Sequence, residues 1–313
     1  MSYPIIVLHK GNPPYLKECL NQAKFSNPNS RVILLGDESN KNVPDGVEHY
    51  FISDFQGMSQ ELKTNYVHLS SNTYGFEFFC IERWFIMLDF IRKNNIDKFL
   101  HIDSDTLLYA DFEKEPEFIR EIAEVDIALP GIKGTWCNFF QSVKALEKFC
   151  NFVISKYKNR ELMQKLQEEF SNKVESYKKQ GKRYRHGGIC DMTFITWIRE
   201  SGEITFIDTF ENVVGGLQVQ HNINNIDGCV MSGNIQNIIF INGQPHCVKK
   251  TGEIVRLALL HLQGKAKQLM SDFSTYNKNS ELQHPAFSVK SILFIYRHQF
   301  RDAIRKMFFL KKA

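Results

Sequence analysis

The chain has 313 residues, of which 43% are hydrophobic and 24% charged, and its formal net charge is +4. This length and balance predict an ordinary soluble globular protein with a full hydrophobic core. Residues 289–313 carry seven basic side chains and one acid, so the basic character lies in the tail. A nucleic-acid-binding protein would spread such charge over a face of its main domain, and nucleic acid is therefore not an expected partner.

The beginning of the chain and its cysteines indicate the compartment. The first nine residues contain neither a basic segment nor a long apolar stretch, so no secretory signal is expected. No window approaches about 18 consecutive apolar residues, which argues against a transmembrane helix. The seven Cys are scattered without a C-x-x-C pair. Neither a disulfide framework nor a zinc site is expected, and a reducing cytoplasm is the predicted location.

Strand and helix patterns alternate in the first third of the chain. Residues 4–9 and 31–35 are short apolar runs that end in turn residues, and residues 15–23 between them have helical spacing. Residues 76–94 predict a buried helix that leads into a further strand at 98–102. Strands that alternate with helices predict a parallel α/β sheet.

The remainder of the chain is more varied. Residues 125–129 predict a strand, and residues 143–177 predict one long, increasingly charged helix that ends in a basic loop at 178–188. Residues 238–248 predict a hairpin and residues 254–260 a strand. No repeat or Pro/Ser/Gly-rich linker divides the chain. We therefore expect one domain over residues 1–270, followed by a helical tail at 271–313.

Two carboxylates follow the predicted strand at 98–102. Asp103 and Asp105 are separated by one residue, and ligands of open α/β sheets bind where the loops leave the strands. Such a pair can hold a divalent cation that also takes phosphate oxygens. A plain turn is the alternative, because Asp and Ser are common where strands stop.

A second motif, H-x-x-G-x-x-K, follows the strand at 254–260. A neutral His261 would complete an oxygen and nitrogen shell around Mn²⁺ or Mg²⁺. Gly264 would let the backbone approach a phosphate, and Lys267 would neutralise charge on a diphosphate leaving group. A histidine at a strand end can also be a purely structural residue. The two motifs together favour the ligand-binding interpretation.

A third feature is the run Gly187-Gly188-Ile189-Cys190-Asp191, which ends the basic loop and precedes an apolar helix. Asp191 has two interpretations that the residues leave open. It caps the helix or favours its dipole, or it is a carboxylate that faces a substrate.

The order of strand, D-x-D, G-G-x-x-D and H-x-x-G-x-x-K over residues 3–270 resembles the GT-A glycosyltransferases. The last motif looks like family 8 of that group, and the whole is similar to bacterial enzymes of lipopolysaccharide, lipooligosaccharide or capsule assembly. The resemblance implies a Rossmann-like α/β fold, the nucleotide-diphospho-sugar transferase fold, with a mixed sheet flanked by helices. It also implies a nucleotide-sugar site in residues 1–140 and an acceptor side in residues 140–270.

The resemblance implies roles for twelve residues. In the family the D-x-D carboxylates and the histidine bind Mn²⁺ together with the diphosphate of the donor. The implied metal ligands are Asp103, Asp105 and His261; the implied donor-binding residues are Leu8, His9, Asp37, Arg83, Ser104, Gly264 and Lys267; and the implied residues near the transferred sugar are Asn138 and Asp191.

The implied reaction is the transfer of a hexose from a UDP-linked donor to a glycan or lipid-linked glycan, with retention of the anomeric configuration. In an inverting enzyme, Asp191 would be the first candidate for the general base. The tail fits a lipid-linked acceptor, because Phe300, Ile304, Met307 and Phe308 share one face of a basic helix. Such helices lie on anionic membranes, so we expect a cytoplasmic protein that associates with the inner membrane through residues 289–313. A helix docked on the domain is the alternative.

Three rival functions remain. Asp103-Ser104-Asp105-Thr106 also satisfies the D-x-D-x-T of haloacid-dehalogenase phosphatases, in which the first Asp is a nucleophile. That motif belongs on the first strand of the core, whereas two predicted strands precede it here. A sugar nucleotidyltransferase needs a glycine-rich loop after its first strand, which this chain lacks. A non-catalytic nucleotide-sugar-binding protein is the third alternative.

Overall fold

A seven-stranded mixed sheet forms the centre of the molecule. The structure is a computed structural model and describes residues 3–131, 133–276 and 287–297. Across the sheet the strands are β3 (Val47–Phe51), β2 (Val32–Gly36), β1 (Ile5–Leu8), β4 (Phe99–Ile102), β7 (Cys137–Phe140), β6 (Ile127–Leu129) and β8 (Phe206–Asp208). Strands β3, β2, β1 and β4 are parallel, whereas β7 is antiparallel to β4 and to β6. The predicted mixed α/β sheet is therefore present.

Both faces of this sheet are buried. Alternate residues of a strand point to opposite faces, and Ile5 and Val7 belong to one hydrophobic core while Ile6 and Leu8 belong to the other. The continuous apolar run of β1 is what a parallel strand covered on both faces requires.

A second, smaller sheet places the C-terminal motif beside the D-x-D segment. Its strands are β12 (Ile238–Ile241), β13 (Gln244–Val248), β14 (Ile254–His261), β5 (Thr106–Leu108) and, beside β14, β9 (Gln218–Val219). Strand β5 begins immediately after the D-x-D segment, and its Thr106 is the register partner of His261. The pairing of β5 with β14 thus brings the two motifs together, although they are more than 150 residues apart. A separate two-stranded ribbon consists of β10 (Met231–Ser232) and β11 (Ile235–Gln236).

Helices cover the sheets. They are α1 (Pro14–Ser26), α2 (Ser59–Asn65), α3 (Tyr74–Lys93), α4 (Pro116–Ile122), α5 (Val143–Lys158), α6 (Arg160–Lys179), α7 (Asp191–Ser201), α8 (Met270–Phe273) and α9 (Val289–Ile295). Helix α3 is the predicted buried helix, and it packs on α5 beside the central sheet. In the described parts of the chain, no helix is both long and apolar enough to cross a membrane.

The prediction of a single helix over residues 143–177 is wrong. The chain leaves helical geometry at Asn159, whose backbone is extended, and two helices result. The side chain of Asn159 accepts a hydrogen bond from the Leu162 N–H at 3.0 Å, so it caps the second helix. Only Met163 of α6 is buried, so this helix lies almost entirely in solvent.

The described part of the tail docks on the domain. The backbone oxygen of Ile295 accepts from the Asn234 N–H at 3.0 Å, and the hydroxyls of Ser232 and Tyr296 are 2.8 Å apart. The Ile295 side chain is buried. The predicted apolar face of Phe300, Ile304, Met307 and Phe308 lies outside the described residues.

Candidate functional site

The two sheets meet at a cleft of about 1010 Å³ that contains most of the predicted site residues. It lies at the carboxyl ends of β1 and β4, which is where open α/β sheets bind ligands. The predicted residues that line it are Leu8, His9, Arg83, Asp103, Ser104, Asp105, Asp191, His261, Gly264 and Lys267. Asp37 and Asn138 do not line it.

Asp105 is the centre of a charged cluster on the cleft wall. Its carboxylate lies 3.5 Å from the Nε2 atom of His261 and 3.2 Å from the Nζ atom of Lys267. The Nδ1 atom of His261 lies 2.6 Å from the backbone oxygen of His221, so it carries a proton and donates to that oxygen. The other ring nitrogen is thereby directed at Asp105. The cluster holds residues from β14 and the D-x-D segment in one small volume.

The pKa values of this cluster follow from its contacts. Burial favours the neutral form of the Asp105 carboxyl, but His261 and Lys267 outweigh burial and lower its pKa to about 2. Burial likewise opposes the charged form of His261, and Asp105 outweighs it and raises the imidazole pKa. Asp105 is therefore an anion at neutral pH, and it attracts positive charge to this wall of the cleft.

Arg83 joins the D-x-D segment to helix α7. One of its terminal nitrogens lies 2.6 Å from Asp103 and the other lies 2.6 Å from Asp191. The indole N–H of Trp84 also donates to Asp191, at 3.3 Å. The guanidinium pKa is raised because the two carboxylates outweigh the opposing effect of burial. A fork of two parallel donors thus fixes both carboxylates relative to each other.

Asp191 begins helix α7 and does not precede it. Cys190 occupies the N-cap position, and the Asp191 side chain accepts a hydrogen bond from the Met192 N–H at 2.9 Å. The segment before it packs closely, because an added Cβ on Gly188 would lie 1.9 Å from the backbone oxygen of Leu69. Asp191 therefore serves the helix end and also borders the cleft.

The predicted metal site of Asp103, Asp105 and His261 stays a prediction. In the described regions, no three His, Cys, Asp or Glu side chains stand close enough together to hold a metal ion. Asp105 and His261 are 3.5 Å apart, near the roughly 3 Å that separates adjacent ligands of a six-coordinate Mg²⁺ or Mn²⁺. Asp103 turns its carboxylate to Arg83 instead. These residues fit two ligands of a divalent cation, whose other positions suit phosphate oxygens and water.

The loop after β1 also lines the cleft, beside the D-x-D segment. The hydroxyl of Ser104 lies 2.9 Å from the Nδ1 atom of His9. Burial, supported by the nearby Lys267 charge, lowers the pKa of His9, so this imidazole is neutral at pH 7. Gly264 faces open space and has a φ of +63°, a backbone conformation that favours glycine.

Asp37 holds the backbone of the loop that follows β1. Its carboxylate accepts a hydrogen bond from the Gly11 N–H at 2.7 Å and from the Ser39 N–H at 2.8 Å. The amide of Asn40 donates to the backbone oxygens of His9 and Gly11. Asp37 thus holds the loop from which His9 enters the cleft, while its own side chain lies outside.

Asn138 is an interior residue of β7. Its side chain is fully buried and its amide donates to the backbone oxygen of Gly134 at 2.9 Å. Its position beside β4 follows from the register, in which it pairs with His101. The structure therefore places Asn138 beneath the cleft, without a surface toward it.

Sequence reasoning missed the aromatic residues of the site. The ring of Trp136 lies between those of His221 and His261, with both pairs of ring centroids 5.0 Å apart. The ring of Tyr15 lies 4.9 Å from the Nζ atom of Lys267. No local pattern indicates His221, because its neighbours are polar and irregular. Tyr15 begins the predicted helix at 15–23 and Trp136 lies outside every predicted strand, so neither position indicated a site.

Solved structures similar to this chain include glycosyltransferases. Mouse xyloside xylosyltransferase 1 matches with a TM-score of 0.42 and 10% identity over 66% of this chain and 85% of that one. The galactosyltransferase LgtC, in complex with donor and acceptor sugar analogues, matches with a TM-score of 0.37 and 11% identity over 87% and 95%. The glycosyltransferase GlyE of Streptococcus pneumoniae TIGR4 matches with a TM-score of 0.32 and 12% identity over 66% and 45%.

No protein-family model matches the chain, and no curated protein matches it. Because all three TM-scores lie below 0.5, the fold class rests on the strand order itself. The function rests on the side chains of the cleft.

Proposed function

We propose that this protein is a metal-dependent glycosyltransferase that transfers a hexose from a UDP-sugar to a glycan or a lipid-linked glycan. The observation that carries the proposal is the cluster of Asp105, His261 and Lys267 at the strand ends of a large cleft. A carboxylate and an imidazole beside a lysine suit a cation bound to a diphosphate.

The donor diphosphate fits the wall that carries this cluster. Lys267 supplies positive charge, and Gly264 lines the cleft without a side chain. Asp105 and His261 would hold Mn²⁺ or Mg²⁺, and such a cation would neutralise negative charge on the departing nucleoside diphosphate. Ser104 and His9 offer a hydroxyl and a neutral imidazole beside this cluster. Leu8, together with the loop that Asp37 holds, would receive the base and ribose.

Asp191 is the residue that we place beside the transferred sugar. Its oxygens accept hydrogen bonds from Arg83, from the Trp84 indole and from the Met192 backbone. A carboxylate that already accepts three hydrogen bonds is poorly suited to remove a proton from the acceptor hydroxyl. Retention of the anomeric configuration is therefore the outcome we propose. Asn138 would support this region from beneath.

The phosphatase alternative is disfavoured by the same contacts. Asp103, the required nucleophile, is held at 2.6 Å by Arg83. Asp105 would have to deliver a proton to the leaving group, but its pKa is lowered to about 2, with burial outweighed by its basic neighbours. The D-x-D strand is also central in the sheet and is the fourth strand in sequence.

The pathway and location belong to the same proposal. A lipid-linked acceptor in bacterial surface polysaccharide synthesis would place the enzyme at the cytoplasmic face of the inner membrane. Residues 289–313 would contact that surface through their basic side chains. This part of the proposal rests on the sequence, since residues 298–313 lie outside the described residues.

A panel of nucleotide sugars tests the proposed function. Donor cleavage is measured with and without Mn²⁺ for the wild type and for Asp105→Ala, with Asp45→Ala as the control because Asp45 is exposed and away from the cleft. We expect cleavage of a UDP-hexose that needs the metal, falls at least about 100-fold in Asp105→Ala and is unchanged in the control. The proposal would be contradicted if turnover and UDP binding were unchanged both without the metal and in Asp105→Ala.

A further inference from the structure

A dense positive charge lies at one end of the cleft. The basic loop, residues 178–188, contains five Lys or Arg side chains and no acid. They are Lys178, Lys179, Lys182, Arg183 and Arg185, and all five are exposed. None of them forms an ion pair with an acid among the residues that the structure describes. The loop therefore presents uncompensated charge, which attracts anions.

Aromatic contacts hold the loop in shape. The rings of Tyr177 and Tyr184 lie 5.2 Å apart, and Tyr184 also contacts Phe170 at 5.8 Å. The hydroxyl of Tyr177 is 2.8 Å from the Nε2 atom of His186. These contacts fold the loop back against the end of α6. Its cations thus extend from a braced turn, which reduces the entropy cost of binding a ligand.

Backbone hydrogen bonds attach the loop to the mouth of the cleft. The Ser71 N–H donates to the Gly187 oxygen at 3.0 Å, and the Ile189 N–H donates to the Leu69 oxygen at 2.9 Å. His186, Gly187 and Gly188 line the same cleft as the D-x-D segment. The segment that carries the cations is therefore continuous with the lining of the cleft, and a ligand that extends past His186 would approach them.

Aromatic rings line the cleft that the basic loop adjoins. Phe76 lines the cleft and is 60% exposed, and Trp197 lines it as well. Flat aromatic surfaces suit the apolar faces of sugar rings, while the neighbouring cations suit phosphate or carboxylate. The two features side by side fit a glycan that carries negative charge.

The distribution of charge along α6 favours such a ligand over a flat membrane surface. Residues 160–169 contain three acids and two basic side chains, so the exposed helix before the loop is slightly acidic. A helix lying on an anionic bilayer would carry basic residues along its whole length. Here the positive charge is confined to the segment at the mouth of the cleft.

We propose that the basic loop binds a phosphate or carboxylate group of the acceptor, so that this protein prefers acidic glycans. The inference rests on the proposed function, because it assigns the acceptor to the part of the cleft that His186, Gly187 and Gly188 line. The loop residues bind and position the acceptor and take no part in the transfer step.

Fluorescence titration tests the inference, because Trp136 and Trp197 both line the cleft. The protein is saturated with UDP and Mn²⁺, and its dissociation constants for lactose and for lactose 1-phosphate are compared at low salt. The loop variant is Lys182→Gln/Arg183→Gln/Arg185→Gln. The matched control is Lys17→Gln/Lys98→Gln/Lys144→Gln, which removes the same charge from exposed sites away from the cleft.

We expect the wild type and the control to bind the phosphorylated sugar about tenfold more tightly than the neutral one, and the loop variant to lose that preference. Equal binding of the two sugars by the wild type, or an unchanged preference in the loop variant, would overturn the inference. Failure to bind UDP in the first step would instead count against the proposed function.

A parallel sedimentation with phosphatidylcholine vesicles containing 20 mol% phosphatidylglycerol tests whether the basic loop binds an anionic lipid surface. If the loop variant loses vesicle binding but keeps the sugar preference, the loop serves a lipid surface and the inference is wrong.

Discussion

The indole ring of Trp136 lies parallel to the imidazole ring of His261, with centroids 5.0 Å apart and planes within 14°. The indole N–H donates to the backbone oxygen of Gln220 at 3.2 Å, which fixes the plane of the ring. Trp136 immediately precedes β7 and belongs to none of the three sequence motifs. Its ring nevertheless packs on His261, a proposed metal ligand. Its stacking restricts the plane of the His261 ring, in which the Nδ1 contact with His221 directs Nε2 at Asp105.

Loss of this stacking is expected to weaken the donor site. We predict that Trp136→Leu raises the dissociation constant of UDP with Mn²⁺ by about tenfold, because an aromatic pair contributes as much as about 1.5 kcal/mol beyond its buried area. Trp136→Phe keeps a ring and is expected to stay within about threefold of the wild type. Calorimetric titration measures both. Equal weakening by the two substitutions would show that the stack does not position His261.

Arg83 is expected to be a major contributor to stability. Arg83→Met leaves Asp191, whose side chain is 5% exposed, without its positive partner. An unpaired buried charge of this kind costs about 3 kcal/mol in the free energy of unfolding. Urea denaturation measures the change. The exposed pair of Arg92 and Glu147 provides the control, and Arg92→Met is expected to cost less than about 1 kcal/mol.

A second variant separates charge from packing at this position. Arg83→Met/Asp191→Asn removes the uncompensated carboxylate together with the guanidinium. We expect this double variant to be more stable than Arg83→Met alone. A double variant that is less stable by the full sum of the two single effects would mean that Arg83 contributes through packing and not through its ion pairs.

The two carboxylates of the D-x-D segment are expected to contribute unequally to metal binding. Asp105 faces His261, whereas Asp103 faces Arg83. We predict that Asp105→Asn weakens Mn²⁺ binding to the UDP complex about 100-fold and that Asp103→Asn weakens it about tenfold or less. Manganese titration followed by electron paramagnetic resonance measures free Mn²⁺. Equal losses would indicate that Asp103 leaves Arg83 and becomes a full ligand when donor binds.

Asp37 is expected to add a pH-dependent contribution to stability. Burial favours its neutral form, but hydrogen bonds from Ser39 and from the Gly11 N–H outweigh burial and lower its pKa. A lowered folded-state pKa gives stability that is present above the unfolded-state pKa of about 4 and is lost as the pH falls through the folded-state pKa. The wild type should therefore exceed Asp37→Asn in stability at pH 6, by about 1 kcal/mol or less, and the difference should shrink below pH 4. Denaturation at each pH is the measurement, and a difference that grows on acidification would contradict the assigned contacts.

Asn159 is expected to stabilise helix α6 as its cap. Asn159→Ala removes the acceptor of the Leu162 N–H and is predicted to cost about 1 kcal/mol in the free energy of unfolding. Gln167→Ala, at an exposed position within the same helix, is the control and should change stability little. Thermal or urea unfolding of the two variants distinguishes a cap from general helix propensity.

Several elements could be predicted from the sequence because their causes are local. The apolar runs of β1 and β2 and the buried pattern of α3 indicated the central sheet and its covering helix. The end of α5 and the start of α6 at Asn159 could not be predicted, because the residues on both sides keep a helical period. The capping side chain of Asn159 decides where the second helix begins. The resemblance implies that Asp37 binds the donor and that Asn138 lies near the transferred sugar; neither lines the cleft, and both roles stay predictions.

The sequence by itself determined which residue types stand at the strand ends, since the D-x-D and H-x-x-G-x-x-K patterns are read along the chain. Only the tertiary structure decided how those side chains pair. The register of β5 against β14 brings His261 to Asp105, and the packing of α7 against α5 positions Asp191 beside Arg83. Contacts between residues far apart in sequence depend on strand register and helix packing, which the whole core selects. For that reason the motifs predict which charged groups are present, whereas only the tertiary structure shows which residue pairs with each carboxylate.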